Sequence, residues 1–247
     1  MQTERDTVAV ERQQAYYERT AESYDADHVH AGDEHAIALN YIAQLSRVVG
    51  AHRILDVGAG TGRGLRYLTS LRPDMEVVGV EPVAGLRAQA ELQGTKLLDG
   101  AGQHLPFEED SFDLVISTGV LHHVPDPAPV VKEMMRVARL GVLISDANRF
   151  GQGPPAMRAA KILMHLTHTW KPYMYLRTKG RGYMESEGDG VFYSYSIFDS
   201  MPLISTWADR TFVIPTSGRS AGRLGPLLDA PSGLLVALRE PEGTLEL

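Results

Sequence analysis

A chain of 247 residues, 43% hydrophobic and 22% charged, is long enough for one large α/β domain with a sizeable core. A net charge of −7 gives no global attraction for nucleic acid. The absence of cysteine excludes disulfides, thiol catalysis and Cys-ligated zinc.

In chain order, the opening MQTERDTVAVERQQ is charged and lacks the apolar stretch of a signal peptide. No run of about 18 apolar residues follows anywhere, so no membrane span is expected and the chain reads as cytoplasmic. Residues 7–22 read as a polar helix. Residues 34–49 form a second, with Ile37, Tyr41, Leu45 and Val48 on one face. RILDV (53–57) is a strand, residues 61–70 a helix and EVVGV (76–80) a strand. Pro82 opens a helix with Val83, Leu86 and Ala90 on one side. TKLLD (95–99) reads as a short third strand and FDLVIST (112–118) as a fourth. A helix from Pro127 to Arg139 leads to a fifth strand, GVLISD (141–146). The rhythm then breaks. Residues 150–195 hold a Pro-Pro pair, Trp170 and Tyr173, Tyr175, Tyr183, Tyr193 and Tyr195. A helix near residues 197–207 precedes RTFVIPT and GLLVALRE, a closing antiparallel pair.

Alternating strands and helices imply parallel βαβ units. The predicted fold is a Rossmann-like, doubly wound α/β sheet, mostly parallel, with an antiparallel C-terminal pair. It divides into a helical cap (1–50), a cofactor-binding core (51–149), a lid or substrate insert after the fifth strand (150–195) and the end of the sheet (196–247), all one domain. Ligands in such sheets sit beyond the carboxyl ends of the strands.

The stretch ILDVGAGTGRG (54–64) occupies such an end. A dinucleotide fingerprint needs G-x-G-x-x-G, but Arg63 stands at the third glycine after Gly58 and Gly60. The spacing is Asp56-x-Gly58-x-Gly60-x-Gly62 instead. A carboxylate about 4 Å from a phosphate costs about 4 kcal/mol at an effective dielectric near 20. Asp56 therefore predicts a ligand with a positive group there, such as an ammonium. Glu81, ending the second strand, suits the vicinal hydroxyls of a ribose.

Six segments in order resemble class I S-adenosylmethionine-dependent methyltransferases of the small-molecule, type 11-like kind: YERTAESYD (17–25), ILDVGAGTGRG, VVGVEP (77–82), LPFEEDSFDLVIS (105–117), VLHHVPD (120–126) and EMMRVARLGVLISD (133–146). The resemblance covers residues 10–148. It implies S-adenosylmethionine as cofactor and S-adenosylhomocysteine as product. By position it assigns cofactor contacts to Tyr17, Tyr24, Asp56, Gly58, Ala59, Gly60, Glu81, Pro82, Ala101, Gly102, Gln103, Ser117 and His122. Where the family often carries an acid for adenine, this chain has Ala101, Gly102 and Gln103, leaving backbone groups and Gln103 to read the adenine edge.

Methyl transfer from a sulfonium mainly needs orientation and desolvation, with a base only if the acceptor must lose a proton. His122 and His123 are the candidate bases. No H-E-x-x-H spacing occurs, and no metal is predicted. From Ala147 to Met184 there is no acid, while Arg149, Arg158, Lys161, Lys171, Arg177, Lys179 and Arg181 are all cationic. This segment predicts a small acceptor bearing carboxylate or phosphate, bound by Arg177, Lys179, Arg181, Tyr183, Tyr193 and Tyr195. The expected activity is methyl transfer to an O or N atom of such a molecule. The alternatives are methylation of RNA, which the acidic net charge disfavours, and cofactor binding without transfer.

Overall fold

The computed structural model describes residues 2–218, 222 and 224–240. The end of the predicted 196–247 segment, 241–247, lies outside the described residues. Among the described residues the main sheet has six strands: β1 (Arg53–Val57), β2 (Glu76–Val80), β3 (Phe112–Thr118), β4 (Ala138–Ala147), β7 (Arg210–Pro215) and β8 (Ser232–Leu238). Their order is β2-β1-β3-β4-β8-β7. The first four are parallel, and β8 runs antiparallel to both β4 and β7. The order reverses at β1, which opens a crevice beyond the ends of β1 and β3.

Side chains alternate across the sheet with period two. Leu55, Val57, Val115, Val142 and Ile144 pack into one core with Val130, Val131 and Met134 of α6 (Pro127–Val137). Ile54, Leu114, Ile116 and Leu143 pack into the other, with α3 (Glu34–Val48) and Leu68 of α4 (Arg63–Leu71). The buried stripe of α3 is Ala38, Leu39, Ile42, Ala43 and Ser46. Ile37, Tyr41 and Val48 of the predicted face are exposed instead. Small side chains let this helix lie close on the sheet, so shape outweighed hydrophobic tally. Its N-cap Asp33 accepts from the Ala36 N–H at 2.7 Å and from Arg63 at 2.7 Å. Burial pushes that carboxyl up, but Arg63 and two backbone donors outweigh it and hold it down at about 2.

Residues 95–99 do not form a strand. Only Leu98 bridges to Val80 at the sheet edge. The long insert therefore follows the fourth regular strand, not a fifth. It is ordered rather than loop-like: α7 (Pro155–Leu166), α8 (Trp170–Arg177) and a hairpin of β5 (Met184–Ser186) with β6 (Gly190–Phe192). The following helix, α9 (Ile197–Ile204), starts with a capping box made by Ser196 and Asp199.

The N-terminal helix α1 (Gln2–Thr20) holds the insert to the core. Its Gln13 amide donates to the Asp189 carbonyl at 3.1 Å and accepts from the Val191 N–H at 2.5 Å. Its Glu18 accepts from Ala84 and Gly85, both at 2.9 Å, capping the start of α5 (Ala84–Leu92). One helix thus touches the hairpin on one side and the second βα unit on the other.

Candidate functional site

A cavity lies where topology predicts it. Its walls come from the loop after β1 (Gly58, Gly60), the end of β2 (Glu81, Pro82), residues 101–103, the end of β3 with the turn after it (Thr118 to Val120, His123), and Tyr17 and Tyr24. The glycines have backbone reasons. Gly58 has φ +76°, and a Cβ on it would come 2.6 Å from Val120 Cγ2. Left-handed backbone costs an L-residue about 1–2 kcal/mol before any clash. Gly58→Ala is therefore expected to lower the thermal midpoint. A melting curve superimposable on the parent's would show that this loop relaxes freely.

Glu81 organises the loop. Its Oε2 accepts from the Gly60 N–H and its Oε1 from the Val83 N–H, both at 2.9 Å. Each carboxylate oxygen keeps a further lone pair for a ligand hydroxyl. Burial raises this carboxyl, opposed by the two backbone donors.

At the opposite wall stands a polar cluster. His122 Nδ1 lies 2.7 Å from Asp146 Oδ1, and its Nε2 lies 3.6 Å from Asp189 Oδ2. Burial alone would depress the imidazole, yet Asp146 and Asp189 outweigh it and push it up to about 10. The two carboxylates thus favour the protonated imidazole of His122 when nothing else claims its Nε2. His123 Nδ1 lies 2.7 Å from the Val191 carbonyl and 3.1 Å from the Gln13 amide nitrogen; the shorter contact, to a group that can only accept, assigns the proton to Nδ1. Its Nε2 lies 2.9 Å from the Tyr17 hydroxyl and 3.4 Å from Asp189 Oδ1. Tyr17 in turn packs edge-on against Tyr24.

Residues 55–145 match a family model described as "Methyltransferase domain". An uncharacterized methyltransferase of Mycobacterium sp. (strain KMS) is 41% identical over 99 residues, 38% of this chain and 37% of that protein. A demethylmenaquinone methyltransferase of Roseiflexus sp. (strain RS-1) is 36% identical over 111 residues, 43% of this chain and 47% of that protein. The matches thus span less than half the length of these curated relatives. The solved structure of an S-adenosylmethionine-dependent methyltransferase of Thermotoga maritima, described as a possible histamine N-methyltransferase, is similar at a TM-score of 0.56 and 16% identity. It covers 92% of this chain and 100% of its own. Residues 55–145 thus match a methyltransferase domain, and the chain shares the fold of this solved neighbour.

In this chain Tyr17, Tyr24, Gly58, Gly60, Glu81, Pro82, Ala101, Gly102 and Gln103 all line the cavity. Four residues that the resemblance assigned do not. Asp56 shares the sheet face of Ile54, so it points away from the cavity; any Cβ on Gly64 would strike its carboxylate. Ala59 faces Leu65, Ala90 and Leu97. Ser117 is buried and donates to the Val57 carbonyl at 3.1 Å, and its neighbour Thr118 takes the wall. His122 stands behind His123. Walls that the motifs did not indicate come from α1, through Val10, Gln13 and Gln14. Polar helix periodicity gave no hint of that contact.

None of the six predicted acceptor residues lines the cavity. Tyr183 packs with Ala9 and Val191, and the Tyr195 hydroxyl meets Ser200 at 2.7 Å in the core. Tyr193 packs edge-on against Tyr183, with its hydroxyl buried and without a partner among the described residues. Arg177, Lys179 and Arg181 are exposed, and Arg181 reaches Glu185. Of the other cations, Arg149 pairs with Asp199, Arg158 with Asp229, and Lys161 with two carbonyls. These side chains hold the insert together rather than face the crevice. A second hollow adjoins the cavity through Val10, Gln103, Val124 and Pro125, and it carries Asp6, Glu11 and Asp126.

Proposed function

We propose that this chain transfers the methyl group of S-adenosylmethionine to an O or N atom of a small molecule. The observation that carries this is the cavity that joins Glu81 and the glycine loop on one side to Tyr17, Tyr24 and His123 on the other. S-adenosylmethionine fits the groups present. Glu81 has free lone pairs for the ribose hydroxyls. Gly60 leaves room, since a Cβ there would meet only the Tyr24 ring, at 3.8 Å. The backbone at Ala101 and Gly102 offers polar groups to the adenine edge. When bound, the cofactor supplies an electrophilic methyl on sulfur. The chain's own residues then orient the two partners and keep water out: Tyr17 and Tyr24 close over the cavity, and His123 holds Tyr17 in place.

The acceptor's charge class follows from the walls. The basic segment points elsewhere, and the adjoining hollow is acidic, so the cavity supports a neutral or cationic acceptor better than the carboxylate or phosphate expected from sequence. The test is incubation with S-adenosylmethionine and a metabolite panel spanning all three charges, read by mass spectrometry. A product 14 mass units heavier, appearing together with S-adenosylhomocysteine, is the expected result. Turnover confined to anionic acceptors would overturn the charge assignment. Cofactor binding without any transfer across the panel would overturn the activity.

A further inference from the structure

His122, His123 and Asp189 each offer a ligand atom, and those atoms all lie within 4.8 Å of one another. We propose that they form a binding site for a divalent transition-metal cation of the zinc type, set behind the stretch of cavity wall that His123 forms.

The two outward nitrogens fit the role. Nε2 of His122 and Nε2 of His123 lie 3.6 and 3.4 Å from the two oxygens of Asp189. Ligands about 2.0–2.1 Å from a tetrahedral zinc stand about 3.4 Å apart. The inward nitrogens carry a second, independent signature. Metal-bound imidazoles almost always give their other N–H to a carboxylate or a backbone carbonyl, which fixes ring and tautomer. Here Nδ1 of His122 meets Asp146, and Nδ1 of His123 meets the Val191 carbonyl, both at 2.7 Å. Asp146 is itself held, since its Oδ2 accepts from the Leu121 N–H at 2.8 Å and Oδ1 from the Ala147 N–H at 2.6 Å. Both rings are thus fixed with Nε2 toward one carboxylate.

Two imidazoles and one carboxylate leave a tetrahedral zinc one position open, as in catalytic sites. The Tyr17 hydroxyl lines the cavity and donates to His123 Nε2 at 2.9 Å; a bound cation would take that lone pair and leave the hydroxyl beside the open position. The open position therefore belongs to water or to an O or N donor of a cavity ligand. Asp189 lies in the turn joining β5 to β6, and Gln13 of α1 grips its carbonyl. The insert supplies one ligand and the core supplies two, so a bound cation would tie them together.

The 247-residue chain, stripped with chelator and dialysed, is titrated with Co²⁺ and with Zn²⁺ in separate experiments. The expected result is one Co²⁺ per chain, with the visible absorption of a low-coordinate nitrogen–oxygen site, displaced by Zn²⁺. Asp189→Asn is isosteric and sits in a half-buried turn, so it should fold, as circular dichroism would check. It should weaken Co²⁺ binding at least tenfold. Asp146→Asn, which touches no metal, should weaken it by about 10–100-fold. His165→Gln and His104→Gln, outside the cluster, should leave it unchanged. Absence of stoichiometric uptake, or uptake that survives the Asp189→Asn, His123→Gln double variant, would overturn the proposal. Metal uptake is read without any methyl transfer, so its failure and failure of the proposed activity are separate results.

Discussion

Glu81→Ala is expected to bind S-adenosylhomocysteine on the order of 10²–10⁴-fold more weakly than the parent chain, because a hydrogen bond to a charged group contributes about 1.5–3 kcal/mol and the ribose offers two hydroxyls. The same change also leaves the Gly60 and Val83 N–H groups without their acceptor. Each buried donor left unmade costs about 1–3 kcal/mol, so the thermal midpoint should fall as well. Glu81→Gln separates the two effects. Its one remaining oxygen can still serve either the loop or one ribose hydroxyl, so it should lose less affinity than the alanine variant and regain most of the midpoint. Calorimetric titration with S-adenosylhomocysteine checks the ladder. Affinity within threefold of the parent in Glu81→Ala would remove the ribose from this carboxylate and relocate the cofactor.

Glu81 was legible because it combines two independent regularities: it ends an apolar strand and follows a glycine loop by about 20 residues. The parallel sheet, its switch point and the antiparallel closing pair were legible for the same reason, as their apolar runs have a clear length and period. Asp56 shows where motif reading stops. Its position in the motif is right, yet alternation along β1 turns its side chain to the far face of the sheet. Position in a motif gives a residue's height in the fold, and the pleat decides which way it looks. The side-chain partners of the insert were not legible, for a different reason. Charge density there suggests an anionic ligand, but Arg149 and Arg158 find carboxylates far along the chain, at Asp199 and Asp229, and Lys161 binds the nearby carbonyls of Arg149 and Gln152. Pairings of that kind have no spacing to read. The same holds for Asp189, more than 60 residues from His122, which is why ligand spacing predicted no metal site.

The reorientation of Asp56 makes a prediction of opposite sign to that for Glu81: Asp56→Asn should stabilise the chain at alkaline pH. The carboxyl is 1% exposed, and its Oδ1 has no hydrogen-bond partner among the described residues. Burial, with a smaller contribution from the Glu81 charge, pushes it up to about 7. The unfolded chain ionises this group near 3.9. Between about pH 4 and 7 the unfolded state releases a proton that the folded state keeps, so stability falls as pH rises, then levels off above 7. A shift of this size is on the order of 4 kcal/mol at 1.36 kcal/mol per unit. Asparagine removes the charge but keeps a polar group in the same place, at a cost of about 1–3 kcal/mol for its unmade hydrogen bonds. The neutral carboxyl carries the same kind of penalty, so the two cancel: the gain should vanish near pH 4 and reach on the order of 4 kcal/mol at pH 8. Thermal midpoints of both chains from pH 4 to 9 test this, and a gap that does not change with pH would sink it. Cofactor affinity supplies the second arm. Because Asp56 lies under the loop rather than in the cavity wall, Asp56→Asn should keep S-adenosylhomocysteine affinity within about tenfold, about 1.4 kcal/mol, of the parent. Loss of binding comparable to Glu81→Ala would instead put the carboxylate in contact with the ligand's ammonium, as the charge argument from sequence expects.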